Sequence, residues 1–244
     1  MKIQEAREFG ERLAVLVVGR QLEEASDLLN PVLAERTPFR LLDAIGKRVG
    51  KEPLATVHIF LDQIAAGQTM GGWVVIASAL RQQLTRDLPG AFERSVAYVI
   101  AADVWYACDT FGERVPGPAL VALFEPSLAL LATWRENPNR WVRRMVGVAV
   151  HFWAKQARGA ASCQPQASAL LNLLAPLFTE RDVDAIKGVG WGLKTLGKTY
   201  PDLTADWLEE QAGRPRRALM MRKATTYLPT EIRQPLDQPS GPPD

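Results

Sequence analysis

Trp105 and Asp109 stand four residues apart in the stretch DVWYACD, residues 103–109. If that stretch is helical, an indole and a carboxylate leave one face about one turn apart. A fixed carboxylate stabilises positive charge that develops beside it and can orient a water. An indole face attracts cations, by about 2 kcal/mol when desolvated. Further along, NRWVRR (139–144) supplies Arg143 and Arg144, and KGVGWG (187–192) supplies Trp191 among three glycines. Guanidinium forks grip phosphate. Each residue also has a plainer reading. Either tryptophan could be core, the arginines could solvate a helix face, and Asp109 could be a surface acid or an ion-pair partner for Arg144. Helical phasing that turns all four toward one concavity would make them a site.

Other chemistries lack their residues. Cys108 and Cys163 are too few and too far apart for a disulfide framework, and His58 and His151 lie far apart as well. No HExxH, CxxC, phosphate loop or serine nucleophile elbow occurs, so neither a metal nor a cofactor is expected. The chain has 244 residues, 47% apolar and 23% charged, which suits a folded protein with a sizeable core. No apolar run reaches the ~18 residues of a membrane span. The first twenty residues mix charges through their apolar positions, unlike a signal peptide, so a cytoplasmic protein is expected.

The elements that must position these residues read as helices. FRLLDAIGKRVG, LATVHIFLDQIAAG, WVVIASALRQQL and LVALFEPSLALLATW repeat apolar residues at three- and four-residue spacing. Pro31, Pro38, Pro53, Gly71-Gly72, Pro89-Gly90, Pro116-Gly117-Pro118, Pro138, Pro165, Pro201 and Pro215 punctuate the runs. No segment alternates like a strand. About a dozen helices are expected, of one to two dozen residues each. Five of these segments align in a weak repeat, with Ile76, Cys108, Arg144, Lys187 and Arg222 in register and separations of 32, 36, 43 and 35 residues. That period fits helical pairs of the HEAT or armadillo kind, each burying its face against its neighbours. The expected fold is therefore all-α: an α-solenoid whose inner helices line a concave groove. One domain is expected over residues 1–232, followed by a proline-rich disordered tail over 233–244.

Charge is uneven. Residues 140–223 hold 14 Lys/Arg against 7 Asp/Glu, a net +7, and the rest of the chain carries −5 of the overall +2. A basic half suggests an anionic partner, nucleic acid first. Three of the five register residues, Arg144, Lys187 and Arg222, are basic and fall in this half, so the groove is expected to be basic there.

The motif W-x-x-x-D at 105–109, NRWVRR at 139–144, KGVGWGLKTLGKTYPD at 187–202 and RALMMRKAT at 217–225 resemble the bacterial DNA alkylation repair glycosylases of the AlkD family, which are built from HEAT-like repeats. The likeness runs over about 35–228 and is dense from Trp105 onward. It implies that Asp109 is the catalytic carboxylate, that Trp105 and Trp191 flank the lesion nucleotide against its sugar, and that Arg144 holds the adjoining phosphate. It also implies excision of cationic N3- and N7-alkylpurines from double-stranded DNA, without metal or cofactor. Arg143, Lys187, Lys194, Lys198, Arg217 and Arg222 are expected to track phosphates along the groove. His151, seven residues after Arg144, is expected to pack near the groove, and Cys108 only to pack. The glycines around Trp191 are costly in a helix and imply that another backbone passes close, either a neighbouring helix or DNA. A monomer acting on duplex DNA, with no membrane partner, is the expectation. The rival readings are a non-catalytic binder of damaged, bent or branched DNA and a helical-repeat protein-interaction scaffold.

Overall fold

The computed structural model describes the backbone of residues 1–237 and the side chains of residues 1–233. It contains fifteen α-helices and no strand among the described residues. Contacts between residues divide the chain into two compact units that meet in sequence at Val115–Pro116.

The first unit holds α1 (Ile3–Val18), α2 (Leu22–Ala34), α3 (Phe39–Val49), α4 (Leu54–Ala66), α5 (Met70–Arg81), α6 (Leu88–Ala102) and α7 (Trp105–Arg114). Buried residues of α1 recur at Ala6, Phe9, Gly10, Leu13, Ala14 and Val17, the stripe of a helix that packs on one side. α1, α3, α5 and α7 pack in succession as one row, and α2, α4 and α6 pair with them as a second. α5 is covered all round, with every residue from Gly72 to Leu80 buried.

The second unit holds α8 (Pro116–Ala122), α9 (Phe124–Trp134), α10 (Arg140–Ala157), α11 (Gln164–Leu174), α12 (Val183–Thr199), α13 (Pro201–Glu210), α14 (Ala218–Ala224) and α15 (Thr230–Asp237). Here α8, α10, α12 and α14 form one row, and α9, α11, α13 and α15 the other. These stacked pairs are the helical-repeat arrangement expected from the period. The five register residues fall on α5, α7, α10, α12 and α14, all in the row that packs most closely in its own unit.

Several breakers mark helix starts instead of gaps. Pro89 and Pro165 lie in the first turns of α6 and α11, and Pro116 and Pro201 open α8 and α13. The missing N–H matters least in a first turn, where it has no intrahelical acceptor. Pro31 sits inside α2. The run LVALFEPSLALLATW is two helices, because Leu123 takes a non-helical conformation between α8 and α9. The helix Thr230–Asp237 runs into the segment read as a tail; residues 238–244 of that segment lie outside the described residues.

Candidate nucleic-acid interface

In the first unit the site residues sit on α7, and a two-residue link sets where that helix begins. Asp103 ends α6 in the left-handed region (φ 43°), which aspartate tolerates better than most side chains. Val104 is extended, and Trp105 is the first residue of α7. Ala107, Cys108 and Phe111 are fully buried. The Phe111 ring lies 6.2 Å from Trp73 and 6.0 Å from Tyr98, an aromatic cluster that fixes the helix. Trp105 and Asp109 leave α7 away from these buried positions. The indole is 57% exposed, which removes the core reading for Trp105. Tyr106 meets its edge at 5.9 Å. Asp109 is half-buried one turn further on.

The same unit carries charged groups that the sequence reading missed. Arg114, also on α7, donates from Nε to Asp43 at 2.8 Å, and the Ser78 hydroxyl donates to the same carboxylate at 2.6 Å. Burial pushes the Arg81 guanidinium down, Asp43 draws it up and Arg114 pushes it down again. A cavity of about 320 Å³ on α1 and α3 is lined by Arg7, Arg40, Lys47, Arg48 and Lys51, with Glu11 among them. The acidic total of the N-terminal half conceals this local basic patch.

In the second unit α10 and α12 make the most extensive helix pair. Each begins with a capped turn: Asn139 accepts from the N–H of Trp141 at 2.8 Å, and Asp182 accepts from those of Asp184 and Ala185 at 2.8 and 3.1 Å. The glycines of KGVGWG have their explanation here. A Cβ on Gly188 would sit 2.5 Å from the Arg144 carbonyl oxygen, and one on Gly190 would sit 2.6 Å from the Lys223 Cβ. The close neighbours are α10 and α14.

Arg144 is buried, 6% exposed, and its Nη1 donates to the Asp184 carbonyl at 2.8 Å. Trp191 is half-buried, its ring stacked on His151 with centroids 3.9 Å apart and planes 25° from parallel. The His151 Nδ1 lies 2.7 Å from the Thr195 hydroxyl, which itself donates to the Trp191 carbonyl at 2.9 Å. With that proton committed, the hydroxyl oxygen accepts, so Nδ1 carries the imidazole proton. Burial, with Lys155 and Lys194 nearby, pushes the His151 pKa down to about 4, and the ring is neutral at pH 7. It packs, as expected, and braces Trp191.

Around this stack the unit gathers cations. Lys223 is pushed down first by burial and then by Lys194, Arg144, Lys187 and Arg222. The structure therefore brings together four of the expected phosphate-binding residues and adds Lys223. The signal for Lys223 was its place beside Arg222 in MMRKAT. Lys194 and Lys198 also lie over the Tyr227 ring, at 4.2 and 5.6 Å. Lys187 reaches Asp184 at 3.1 Å but remains half-exposed.

Arg143 goes elsewhere. Its fork meets Glu180 at 2.5 and 3.3 Å, and its Nη1 donates to the carbonyls of Asn137 and Pro138 at 2.7 and 3.0 Å. Burial alone would push the Glu180 carboxyl up. The Arg143 fork and the N–H groups of Asp182 and Arg181 outweigh it and hold the carboxyl below its ordinary range. Arg217 immediately precedes α14 and donates to the Arg181 carbonyl at 2.8 Å.

Among the described residues no helix is long and apolar enough to cross a membrane, and no His/Cys/Asp/Glu group could hold a metal ion. Stacked helical pairs without strands among the described residues define a helical-repeat protein. The family described as DNA alkylation repair enzyme matches residues 47–228, and the chain belongs to it. Comparison with curated proteins and with solved structures gives no match.

Proposed function

We propose that the protein is a monofunctional DNA glycosylase that hydrolyses the N-glycosidic bond of cationic N3- and N7-alkylpurines in duplex DNA. The observation that carries this reading is the pairing of a half-buried carboxylate with a mostly exposed indole one turn away on α7. Family membership supplies the context of alkylation repair.

The chemistry suits those groups. An N3- or N7-alkylated purine is cationic and leaves readily. As the C1′–N bond breaks, its electron pair neutralises the base and positive charge builds on the deoxyribose, as in other glycosyl transfers. Asp109 stabilises that charge and orients the water whose oxygen bonds to C1′ while its proton is released. Trp105 and Trp191 flank the nucleotide, and His151 holds the second indole. Arg144 holds the phosphate beside the lesion, and Lys187, Lys194, Arg222 and Lys223 hold others. Arg143 is assigned a structural role because Glu180 and two carbonyls occupy its fork. We further propose a cytoplasmic monomer.

The test is single-turnover release of free base from duplexes carrying N7-methylguanine or N3-methyladenine. Wild type is expected to release base and Asp109→Asn to release none while still binding the duplex. A fully active Asp109→Asn variant would refute the assigned role. The cation cluster by itself also supports a non-catalytic binder of bent or branched DNA. Salt-sensitive binding with no release by wild type would select that reading.

A further inference from the structure

One cavity lies away from the residues assigned to chemistry. It measures about 550 Å³, within the range of small-molecule sites, and is lined by Thr179, Arg181, Pro215, Arg216 and Arg217. Three arginines and no acid among the described lining residues is an unusual gathering of like charge.

Two of the guanidinium groups are held in place. Arg216 donates from Nη1 to the carbonyls of Ala212 and Arg214 at 2.6 and 3.2 Å, and its guanidinium lies 5.9 Å from the centre of the Phe178 ring. Arg217 is tied to the Arg181 carbonyl at 2.8 Å. Arg214, at the start of the same loop, is tied to the Ala175 carbonyl and to Gln211, both at 2.7 Å. The Arg-Pro-Arg-Arg loop 214–217 is thus fixed by backbone carbonyls, which neutralise none of its charge. The Arg181 guanidinium makes no hydrogen bond or ion pair among the described residues. Pre-set forks with unused donors and no counter-charge match an anion with several oxygens and more than one negative charge.

We infer that this cavity is a phosphate-binding site, taking either a backbone phosphodiester of bound DNA or a free phosphomonoester. The first source rests on the DNA-binding reading above. It follows from position: Arg217 precedes Lys223 by six residues along α14, and Arg181 precedes Lys187 by six residues into α12. Along α14 the six residues from Arg217 to Lys223 span about 9 Å. That is two to three base-pair rises of about 3.4 Å, so a strand lying on the cation cluster has a phosphate to offer at the cavity.

Arg181→Gln is the informative variant, since it removes a charge that the fold does not use. Two titrations are run on the full chain. In the first, inorganic phosphate and a deoxynucleoside 5′-monophosphate are added while backbone amide NMR shifts at Thr179, Arg181 and Arg217 are followed. In the second, binding of an undamaged duplex is measured against salt by fluorescence anisotropy, with Lys194→Ala as the comparison. Saturable shifts in wild type that are lost in Arg181→Gln support the site. A fall of ~0.9 in the slope of log K against log salt for Arg181→Gln assigns it to DNA. An unchanged slope with the small-phosphate shifts lost assigns it to a free phosphomonoester. No shift and no change in slope overturns the inference. If neither wild type nor Lys194→Ala shows salt-dependent duplex binding, the DNA reading fails, and the first titration still decides the cavity.

Discussion

Replacing Gly188 by alanine should destabilise the protein, although alanine is the better helix former. In an open helical position the change would gain about 1 kcal/mol of propensity. Position 188 is not open. The added Cβ would lie 2.4 Å from the Arg144 Cγ and 2.5 Å from the Arg144 carbonyl oxygen. The first contact could relax by a rotamer change. The second involves the backbone of α10, so α10 and α12 must separate. Overpacking of this kind costs ~1–3 kcal/mol, and the rigid backbone partner puts this case at or beyond the upper end. Set against the propensity gain, the net loss is about 2 kcal/mol, a fall of ~4–8 °C in Tm for a chain of this size. Thermal melting followed by circular dichroism reads it directly. Gly67→Ala is the comparison, because a Cβ there meets only the Ile64 carbonyl oxygen, at 3.4 Å, and should change Tm little. The displaced Arg144 should also weaken duplex binding by Gly188→Ala in the anisotropy assay. A Gly188→Ala protein that melts at or above wild type would mean that α10 and α12 do not approach as closely as their backbones indicate.

Two further predictions concern buried charge. The His151 pKa is about 4 in the folded protein against about 6.5 unfolded, so in that window the unfolded chain binds the extra proton. Stability should fall as pH drops from 6.5 toward 4, by up to about 3 kcal/mol from this residue, and no further below it. His151→Phe keeps a ring on Trp191 and should flatten that part of the profile in urea denaturation; an unaltered slope would remove His151 as its source. Arg143→Ala should leave the Glu180 carboxylate, whose side chain is 9% exposed, with only the backbone N–H groups of Arg181 and Asp182, and cost ~2–3 kcal/mol. Lys187→Ala breaks a half-exposed pair and should cost under ~1 kcal/mol, so equal midpoints for the two variants in urea would contradict the structural role given to Arg143.

What the sequence made legible was periodic. Apolar spacing identified helices, and the repeat found α5, α7, α10, α12 and α14 because each carries a similar apolar run around one register residue. It missed α1 and α3, which pack in the same row as α5 but whose stripes are set among charges, as in IQEAREFGERL. Proline marked boundaries where it opens a helix, because the residue that disfavours helix before it favours helix after it; Pro31, inside α2, is the exception.

The candidate site was legible by residue type and less so by surroundings. Asp109 and Trp105 follow from one helix and four residues. Arg143 and Arg144 are neighbours in sequence, and nothing local separates them. Their fates are decided by Glu180 and by the Asp184 carbonyl, 37 and 40 residues away, on either side of the turn into α12. One arginine is locked onto a buried carboxylate and the other joins the cations around Lys223. The glycines beside Trp191 permit that second outcome. Gly188 lets α12 lie against the Arg144 backbone, Gly190 lets Lys223 come in from α14, and next to Gly190 the Trp191 side chain leaves the helix to meet His151. The KGVGWG pattern therefore serves binding indirectly. It brings three helices close enough for one indole and five cations, the buried Arg144 among them, to gather in one place.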